Sequence, residues 1–226
     1  GMVNRIINGD MRIDQRNAGA SVTVNTTNFY AVDRYTLSSV TSGSGVFTAQ
    51  QVSDAPVGFN KSLKITTSTS QATLATNERF LCRQTIEGYN ISDFNFGFSS
   101  ATPITLSFWV KSSLTGTFGG NFQNASRNYV FSYAISSVNT WEFKTITVTG
   151  STDGTWLTDN GVGLRVNFSI GAGSDYLAAS GSWITNTSPQ GVTGQTQIIA
   201  TSGATWQITG VQLEKGPVAT DFEYVD

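Results

Sequence analysis

Apolar and polar residues alternate along most of this chain with a period of two, and helical spacing is almost absent. Successive side chains of an extended strand point to opposite faces, so this alternation is typical of half-buried β-strands. Turns rich in Gly, Asn and Ser, such as TSGSG, FGGN and STDG, separate the apolar stretches. The pattern predicts strands at residues 5–8, 21–25, 34–38, 45–51, 62–67, 79–86, 104–112, 116–123, 127–135, 141–149, 162–170, 196–200 and 206–213. A short helical turn is expected at NISDF, with Ser92 as its capping residue.

Many short strands with regular turn signals predict an all-β fold of two packed sheets. The sequence shows no convincing internal repeat and no dividing linker, so we expect one domain spanning residues 1–226. Gly1 stands before Met2 in the manner of a remnant of tag cleavage and is left out of the structural argument.

The segment ITLSFWVKS places an aromatic side chain on an otherwise polar strand face. Leu106, Phe108 and Val110 share one face of this strand, while Trp109 and Lys111 share the other. A flat indole ring stacks well on the C–H face of a pyranose, which favours a sugar-binding role. The alternative is that a loop covers Trp109, as happens to most large aromatic residues.

Two other strands add polar groups that suit sugar hydroxyls. Arg165 and Asn167 oppose the apolar face of GLRVNFSIG, and Arg83 and Glu87 share one face of RFLCRQTIEG. Planar guanidinium and amide groups bridge neighbouring hydroxyls by paired hydrogen bonds. We therefore predict a carbohydrate-binding sheet face formed by Arg83, Glu87, Trp109, Lys111, Arg165 and Asn167.

Composition points to a neutral, polar surface. Charged residues make up 12% of the chain, about half the usual share, and hydrophobic residues make up 38%. Such a surface is common in extracellular and virion β proteins. The net charge of −2 gives no electrostatic reason to expect nucleic acid or an anionic membrane as a partner.

The sequence contains few residues suited to acid–base catalysis. The chain has no histidine and one cysteine, Cys82, which alternates with larger apolar residues as a core residue does. Carboxylate pairs for glycan cleavage are available only among Asp153, Asp159 and Asp175, which lie in loop-like stretches. Aspartates in such stretches more often cap turns, so we expect no enzymatic activity. No signal peptide and no membrane-spanning segment are expected.

Both ends of the chain resemble one family. INGDMRIDQR followed by AVDRY resembles the start of phage and prophage tail-fibre or tail-appendage proteins, and WQITGVQLEKGPVATDFEYVD resembles their close. RQTIEGYNISDF, TLSFWVKSSLTGTF and GVGLRVNFSIGAGSDY between them are also similar, so the resemblance covers nearly the whole chain. It implies a single jelly-roll β-sandwich, similar to carbohydrate-binding modules and galactose-binding domains.

A jelly roll also gives the charged N-terminal segment an architectural role. Its first and last strands lie side by side, so RIINGD is expected to pair near ITGVQLE. Asn8-Gly9-Asp10 is predicted to form a tight turn with Gly9 at positive φ. Ion pairs are expected to close the ends of the sandwich. The predicted acidic partners of Arg12 and Arg16 are Asp14, Asp33, Glu214 or Glu223. Asp33 and Arg34 are expected to form a further pair.

A structural calcium ion is the alternative use of these end residues. Carbohydrate-binding modules of this shape often hold Ca²⁺ between an N-terminal Asn-Gly-Asp-Phe-Glu turn and an acid in the last strand. This chain keeps Asp10 but has Arg12 near the position of a second acid, and Thr209-Gly210 precedes Val211. Oxygen ligands are thus scarce on both sides, and neither a metal nor another cofactor is expected.

The resemblance implies a non-enzymatic virion protein of the phage tail that adsorbs to host-surface carbohydrate. Other virion tail proteins are expected as partners, and fibre proteins commonly form homotrimers. The expected location is the virion, or otherwise the extracellular space. The alternative function is a carbohydrate-binding module of a secreted polysaccharide-degrading enzyme.

Overall fold

Two antiparallel six-stranded sheets packed face to face make up the computed structural model, which describes residues 2–226. The strands are β1 (Val22–Val24), β2 (Tyr35–Val40), β3 (Val46–Val52), β4 (Ser62–Thr69), β5 (Arg79–Glu87), β6 (Ile104–Ser112), β7 (Gly116–Gln123), β8 (Asn128–Ile135), β9 (Glu142–Val148), β10 (Val162–Ala172), β11 (Leu177–Ala178), β12 (Trp183–Ile184), β13 (Gly191–Val192) and β14 (Thr205–Lys215). Sheet A has the order β1-β3-β4-β14-β6-β9, sheet B has β12-β8-β7-β10-β5-β2, and β11 pairs with β13. Short 3₁₀ helices span Gly88–Asn90, Ser92–Phe94, Ser174–Tyr176 and Ile198–Ala200. The predicted all-β jelly-roll sandwich is confirmed.

Most predicted strands are present, and two are not. Residues 5–8 form no strand, although the Arg5 amide donates to the Leu213 carbonyl at 2.9 Å. Residues 196–200 end in a 3₁₀ helix, which lets Ile198 and Ile199 both enter the core. The helical turn around NISDF is confirmed, but Ser92 lies inside the helix and does not cap it.

Inward-facing residues of the two sheets form one aromatic-rich core. The Phe108 ring of β6 meets the Phe168 ring of β10 edge to face, with centroids 5.3 Å apart. Trp206 is fully buried and its indole N–H donates to the Tyr133 hydroxyl at 3.0 Å. Cys82 is buried as predicted, and burial raises the pKa of its thiol to about 12. The thiol is therefore neutral at physiological pH.

The chain between β10 and β14 covers much of the outer face of sheet B. Asn167 was predicted to lie on an exposed face, and this segment buries it. Asn167 is fully buried, and its amide donates to the side-chain oxygens of Asn121 and Gln123, both at 2.7 Å. Asn121 in turn donates to the carbonyl of Pro189 in the covering segment at 3.1 Å. Every polar atom that leaves water here needs a partner, and the amide network supplies it.

The two ends of the chain lie together, as predicted. Asn4 is fully buried and donates to the carbonyls of Val211 and Glu223 at 3.2 and 3.1 Å. Its side-chain oxygen accepts from the amides of Ile6 and Leu213 at 3.0 and 3.1 Å. One asparagine thus joins the first residues to β14 and to the C-terminal segment.

The Asn-Gly-Asp turn forms with a different division of roles from the predicted one. Asn8, not Gly9, takes the left-handed conformation, at φ 57°, and its side-chain amide donates to the carbonyls of Ile13 and Asp33. Glycine is required at position 9 because the backbone of Val211 passes close to it: a Cβ there would lie 2.2 Å from the Val211 carbonyl oxygen. The left-handed region is among the few places where Asn is favoured over most other residues.

Several predicted ion-pair partners were wrong. Arg12 pairs with Asp10 and, at 2.8 Å, with Asp226, and the Asp10 carboxylate raises the pKa of Arg12. Arg16 lies over the Tyr30 ring, with 4.3 Å between the guanidinium carbon and the ring centroid.

Asp33, Arg34 and Glu214 also act differently from the prediction. Asp33 accepts from the Gln15 amide at 3.1 Å and does not pair with the exposed Arg34. Glu214 is buried and accepts from the Thr220 hydroxyl at 2.7 Å, which fixes the C-terminal segment to β14.

Arg5 connects the N-terminal segment to the two consecutive 3₁₀ helices. Its guanidinium makes a two-pronged contact with the Asp93 carboxylate at 2.6 and 3.0 Å and lies over the Phe94 ring. This contact lowers the pKa of Asp93. Charged residues near the N-terminus therefore hold segments of chain together, which is the architectural role expected for them.

Candidate functional site

The six residues predicted to bind carbohydrate lie on two opposite faces of the sandwich. Trp109 and Lys111 project from the outer face of β6 in sheet A. Arg83, Glu87, Arg165 and Asn167 lie on the outward-facing positions of β5 and β10 in sheet B. Because the inner residues of the two sheets meet in the core, the outer faces point in opposite directions. The expected single surface is wrong, and the binding role of each residue stays a prediction.

Trp109 lies in an aromatic cleft on sheet A that holds about 200 Å³. We call this the Trp109 cleft; it is lined by Phe59, Ser107, Trp109, Phe143, Gly210, Thr220, Asp221 and Phe222. Trp109 and Phe143 are cross-strand neighbours on β6 and β9, with ring centroids 5.2 Å apart. Phe59 and Phe222 meet edge to face at the same centroid distance. Trp109 is half-buried and Phe143 is exposed, so a ligand can reach both rings.

A bulge in β14 makes room for these rings. The register of β14 against β6 shifts between Thr209 and Gln212, and Gly210 in the bulge has φ 63°. A Cβ on Gly210 would lie 2.8 Å from Phe59 and 3.2 Å from Trp109. Glycine is therefore needed here both for the backbone conformation and for the space above it.

A second hollow of about 370 Å³ adjoins the cleft, and the Phe59 ring lines both. Its other lining residues are Asp10, Arg12, Gly58, Asn60 and Tyr224. The first hollow is lined mainly by aromatic rings, whereas the second combines the Tyr224 ring with a carboxylate, a guanidinium and an amide. This mixture of apolar walls and a few polar groups is typical of small-ligand sites.

Lys111 is engaged by its neighbours in sheet A. Its ammonium group pairs with Asp54 and lies over the Trp141 ring, 5.2 Å from the centroid. Gln207 donates to the same carboxylate at 3.1 Å. The hydrogen bond from Lys111 lowers the pKa of Asp54 more than any other contact. Lys111 thus stabilises the loop before β4, and its charge is already compensated.

The sheet B residues divide between buried and accessible positions. Arg83 donates from Nε to the Asn167 oxygen at 2.6 Å, so both belong to the covered amide network. Glu87 is exposed at the end of β5. Arg165 lines a different cavity, beside the β7–β8 turn.

Sequence reasoning missed three of the four aromatic residues in the Trp109 cleft. Phe143 had a usable signal, since on its predicted strand it shares a face with Thr145 and Thr147, while Ile146 and Val148 occupy the opposite face. Phe59 and Phe222 lie in irregular segments, where no periodicity indicates a face.

The loop aspartates are turn and ion-pair residues in this fold. Asp153 accepts from Arg127 at 2.7 Å, and Asp159 accepts from the Gly161 amide at 2.8 Å. Within residues 2–226, no three His, Cys, Asp or Glu side chains are grouped so that they could hold a metal ion. No helix in the described part of the chain has the length and apolar character needed to cross a bilayer.

Comparison with solved structures finds other proteins with a similar fold. No family model matches the sequence, and no curated protein matches it. A candidate sugar-binding protein from Bacteroides thetaiotaomicron VPI-5482 has a similar structure, with a TM-score of 0.52 and 11% identity over 94% of this chain and 99% of that one.

Two further solved structures are similar at lower scores. The enzymatically active domain of tailspike protein 4 from bacteriophage CBA120 gives a TM-score of 0.48 and 13% identity over 94% of this chain. The present chain spans about a fifth of that chain, 21%. The family 11 carbohydrate-binding module of Clostridium thermocellum, solved with a mixed-linked tetrasaccharide, gives 0.42 and 13% identity over 90% of this chain and all of that one.

Proposed function

We propose that this protein is a non-enzymatic carbohydrate-binding domain whose ligand occupies the Trp109 cleft. The observation that carries the proposal is the accessible pair of Trp109 and Phe143 rings in a groove that also presents hydroxyl and carboxylate groups. The fold supports it, since a protein described as sugar-binding shares the architecture over nearly its whole length.

Recognition of a sugar in this cleft follows from the chemistry of its walls. A pyranose has an apolar C–H face that gains dispersion energy and buries area against a flat aromatic ring. Its hydroxyls donate to the Asp221 carboxylate, which is exposed at the rim, and to the Thr220 hydroxyl oxygen, whose own proton is donated to Glu214. The two adjoining hollows have room for neighbouring sugar residues of one chain.

The finer proposal is a phage tail-fibre or tail-appendage protein that adsorbs to a host-surface glycan. It is supported by the end motifs, INGDMRIDQR with AVDRY and the C-terminal GVQLEKGPVATDFE, and by a surface low in charge. Its location is then the virion, other tail proteins are its partners, and a homotrimer is the expected assembly.

Glycan binding is tested by an array screen followed by calorimetry on the best glycan. We expect the wild type to bind, Trp109→Ala to weaken binding at least about tenfold, and Phe143→Ala to weaken it severalfold. Phe98→Ala is the matched control, because Phe98 is an exposed phenylalanine outside the cleft, and it should bind normally. Absence of any glycan ligand, or equal binding by Trp109→Ala, would contradict the proposal.

The second candidate is a carbohydrate-binding module of a secreted polysaccharide-degrading enzyme, which the likeness to a sugar-binding protein favours equally. Both candidates use the same cleft, so binding data do not separate them. Neighbouring genes do: capsid, portal and tail genes support the phage function, whereas a catalytic domain encoded in the same reading frame supports the module.

A further inference from the structure

Three arginines share the outer face of sheet B without an acidic partner. Arg79 and Arg83 lie at outward-facing positions of β5, and Arg165 lies on the neighbouring strand β10, opposite Thr85. Among residues 2–226, no carboxylate oxygen lies within 4.0 Å of any of the three side-chain charges. The acidic residue at the end of β5, Glu87, is exposed and makes no ion pair.

This arrangement carries an electrostatic cost. The pKa of Arg83 is lowered to about 10, first by burial and then by repulsion from Arg165 and Arg79. Arg79 is partly compensated by the Tyr176 ring, which lies 4.3 Å from its guanidinium carbon. Arg165 has no such compensation, and its Nε atom is buried with no hydrogen-bond partner. Buried donors without partners are rare in folded proteins and call for an explanation.

Arg165 lines a cavity of about 360 Å³ that lies away from the Trp109 cleft. The other lining residues are Asn124, Ala125, Ser126, Thr155, Leu157 and Val162. This volume is within the range of about 300–1,000 Å³ typical of small-molecule sites. Leu157, Val162 and Ala125 supply an apolar wall, and Arg165 is the only charged residue among the lining groups.

The walls of the cavity are held in place by hydrogen bonds. Asn124 accepts from the amides of Ser126 and Arg127, both at 2.8 Å, and donates to the Thr155 carbonyl at 2.7 Å. The Thr155 amide donates back to the Ser126 hydroxyl at 2.9 Å. The β7–β8 turn and the β9–β10 loop are thereby fixed to each other, so little ordering remains to be done when a ligand binds.

We propose that this cavity binds a sugar residue bearing a carboxylate, with the Arg165 guanidinium as the group that recognises the charge. A guanidinium presents paired N–H donors that match the two oxygens of a carboxylate. The apolar wall then contacts the C–H face of the sugar ring. The bound carboxylate neutralises the charge of Arg165 and so relieves its repulsion with Arg83, whereas a neutral sugar cannot do this.

This second site does not depend on the Trp109 cleft, and calorimetry with two probes tests it. Trigalacturonate carries a carboxylate on each ring, and galactotriose is its neutral counterpart. We expect the wild type to bind trigalacturonate at least about tenfold more tightly. High salt should weaken trigalacturonate binding, because the charge on Arg165 is only partly shielded from solvent.

The variants separate this site from the proposed function. Arg165→Gln should lose the preference for trigalacturonate, while Trp109→Ala should keep it. Arg16→Gln, which removes an exposed arginine elsewhere, is the matched control and should also keep the preference. Arg165→Lys retains the charge but not the paired donors; it should reduce the preference severalfold and serves if Arg165→Gln does not fold.

Three results would overturn the proposal. They are equal affinity of the wild type for the two trisaccharides, an unchanged preference in both Arg165 variants, and displacement of trigalacturonate by inorganic phosphate at similar concentration. The last result would mean that the cavity takes any small anion. Loss of neutral-glycan binding alone would count against the Trp109 cleft and leave this site intact.

Discussion

Asn4 is the side chain on which the closure of the two chain ends most depends. Asn4→Ala removes two donated and two accepted hydrogen bonds in a fully buried position. Each unpaired buried group costs about 1–3 kcal/mol, so we expect a loss of ~3 kcal/mol or more in the free energy of unfolding. Urea denaturation measures it. Asn25→Ala, at an exposed position, should change stability by less than about 0.5 kcal/mol; equal effects of the two substitutions would contradict the assignment.

Cys82 is predicted to be unreactive in the folded protein. Its thiol is buried and its pKa is raised to about 12, so almost no thiolate exists at mildly alkaline pH. A thiol-specific chromogenic reagent should therefore label it only after unfolding in guanidinium. Thr23→Cys, at an exposed position on β1, provides the positive control. Rapid labelling of the native wild type would show that the core around β5 opens readily.

At the residue scale, the sequence predicted on which strand face a side chain lies, but not whether a later segment of the chain covers it. Alternation placed both Trp109 and Asn167 correctly on the outer faces of their strands. Trp109 remains accessible, whereas the segment after β10 folds over Asn167, and nothing in the alternation of β10 indicates that later segment. The ion-pair partner of Arg12 was predicted wrongly for the same reason, because the path of the final residues brings Asp226 to it.

At the scale of elements, the contact between the N-terminal segment and the two 3₁₀ helices should depend on pH. Arg5 lowers the pKa of Asp93, so the stability contributed by the charged carboxylate is present above its ordinary pKa and is lost as pH falls through the lowered one. Asp93→Asn should therefore destabilise the protein at neutral pH and make no difference in strong acid. Asp93 is half-exposed, at 49%, and the expected effect is about 1 kcal/mol.

Urea denaturation at neutral pH and near pH ~2 checks this dependence. Asp175→Asn is the matched control, because Asp175 is exposed, lies in another 3₁₀ helix and makes no ion pair. Its effect should be small at both pH values. A deficit in Asp93→Asn that stays constant with pH would show that the Arg5 contact is not its cause.

Elements were the most predictable level of this fold. A period of two and the adjoining turn residues are local signals, so the long strands of both sheets could be predicted with their faces. Strands β11, β12 and β13 have two residues each, which is too short to show a period. The bulge in β14 that opens the Trp109 cleft depends on Gly210, which in sequence looks like any glycine in a strand.

At the scale of the whole molecule, the C-terminal segment couples stability to the shape of the Trp109 cleft. Deleting residues 217–226 removes Glu223, which accepts from the Val3 and Asn4 amides, and leaves the buried Glu214 without Thr220. It also removes Phe222 from the Trp109 cleft. We expect a loss of ~3 kcal/mol or more in stability and a loss of glycan binding.

Thermal unfolding and calorimetry measure the two effects. Deletion of Asp226 alone is the control, since it removes only an exposed ion pair with Arg12, worth about 0–1 kcal/mol. A deletion of residues 217–226 that binds glycan like the wild type would place the ligand elsewhere on the molecule.

The meeting of both ends beside β14 has a consequence for how this sandwich can be carried by other proteins. Entry and exit points that lie next to each other allow a folded unit to be grafted into a surface loop of a host without stretching or splitting the host. The junction then lies beside the Trp109 cleft, because Thr220, Asp221 and Phe222 line it, so the linkers to the host must leave these residues in place.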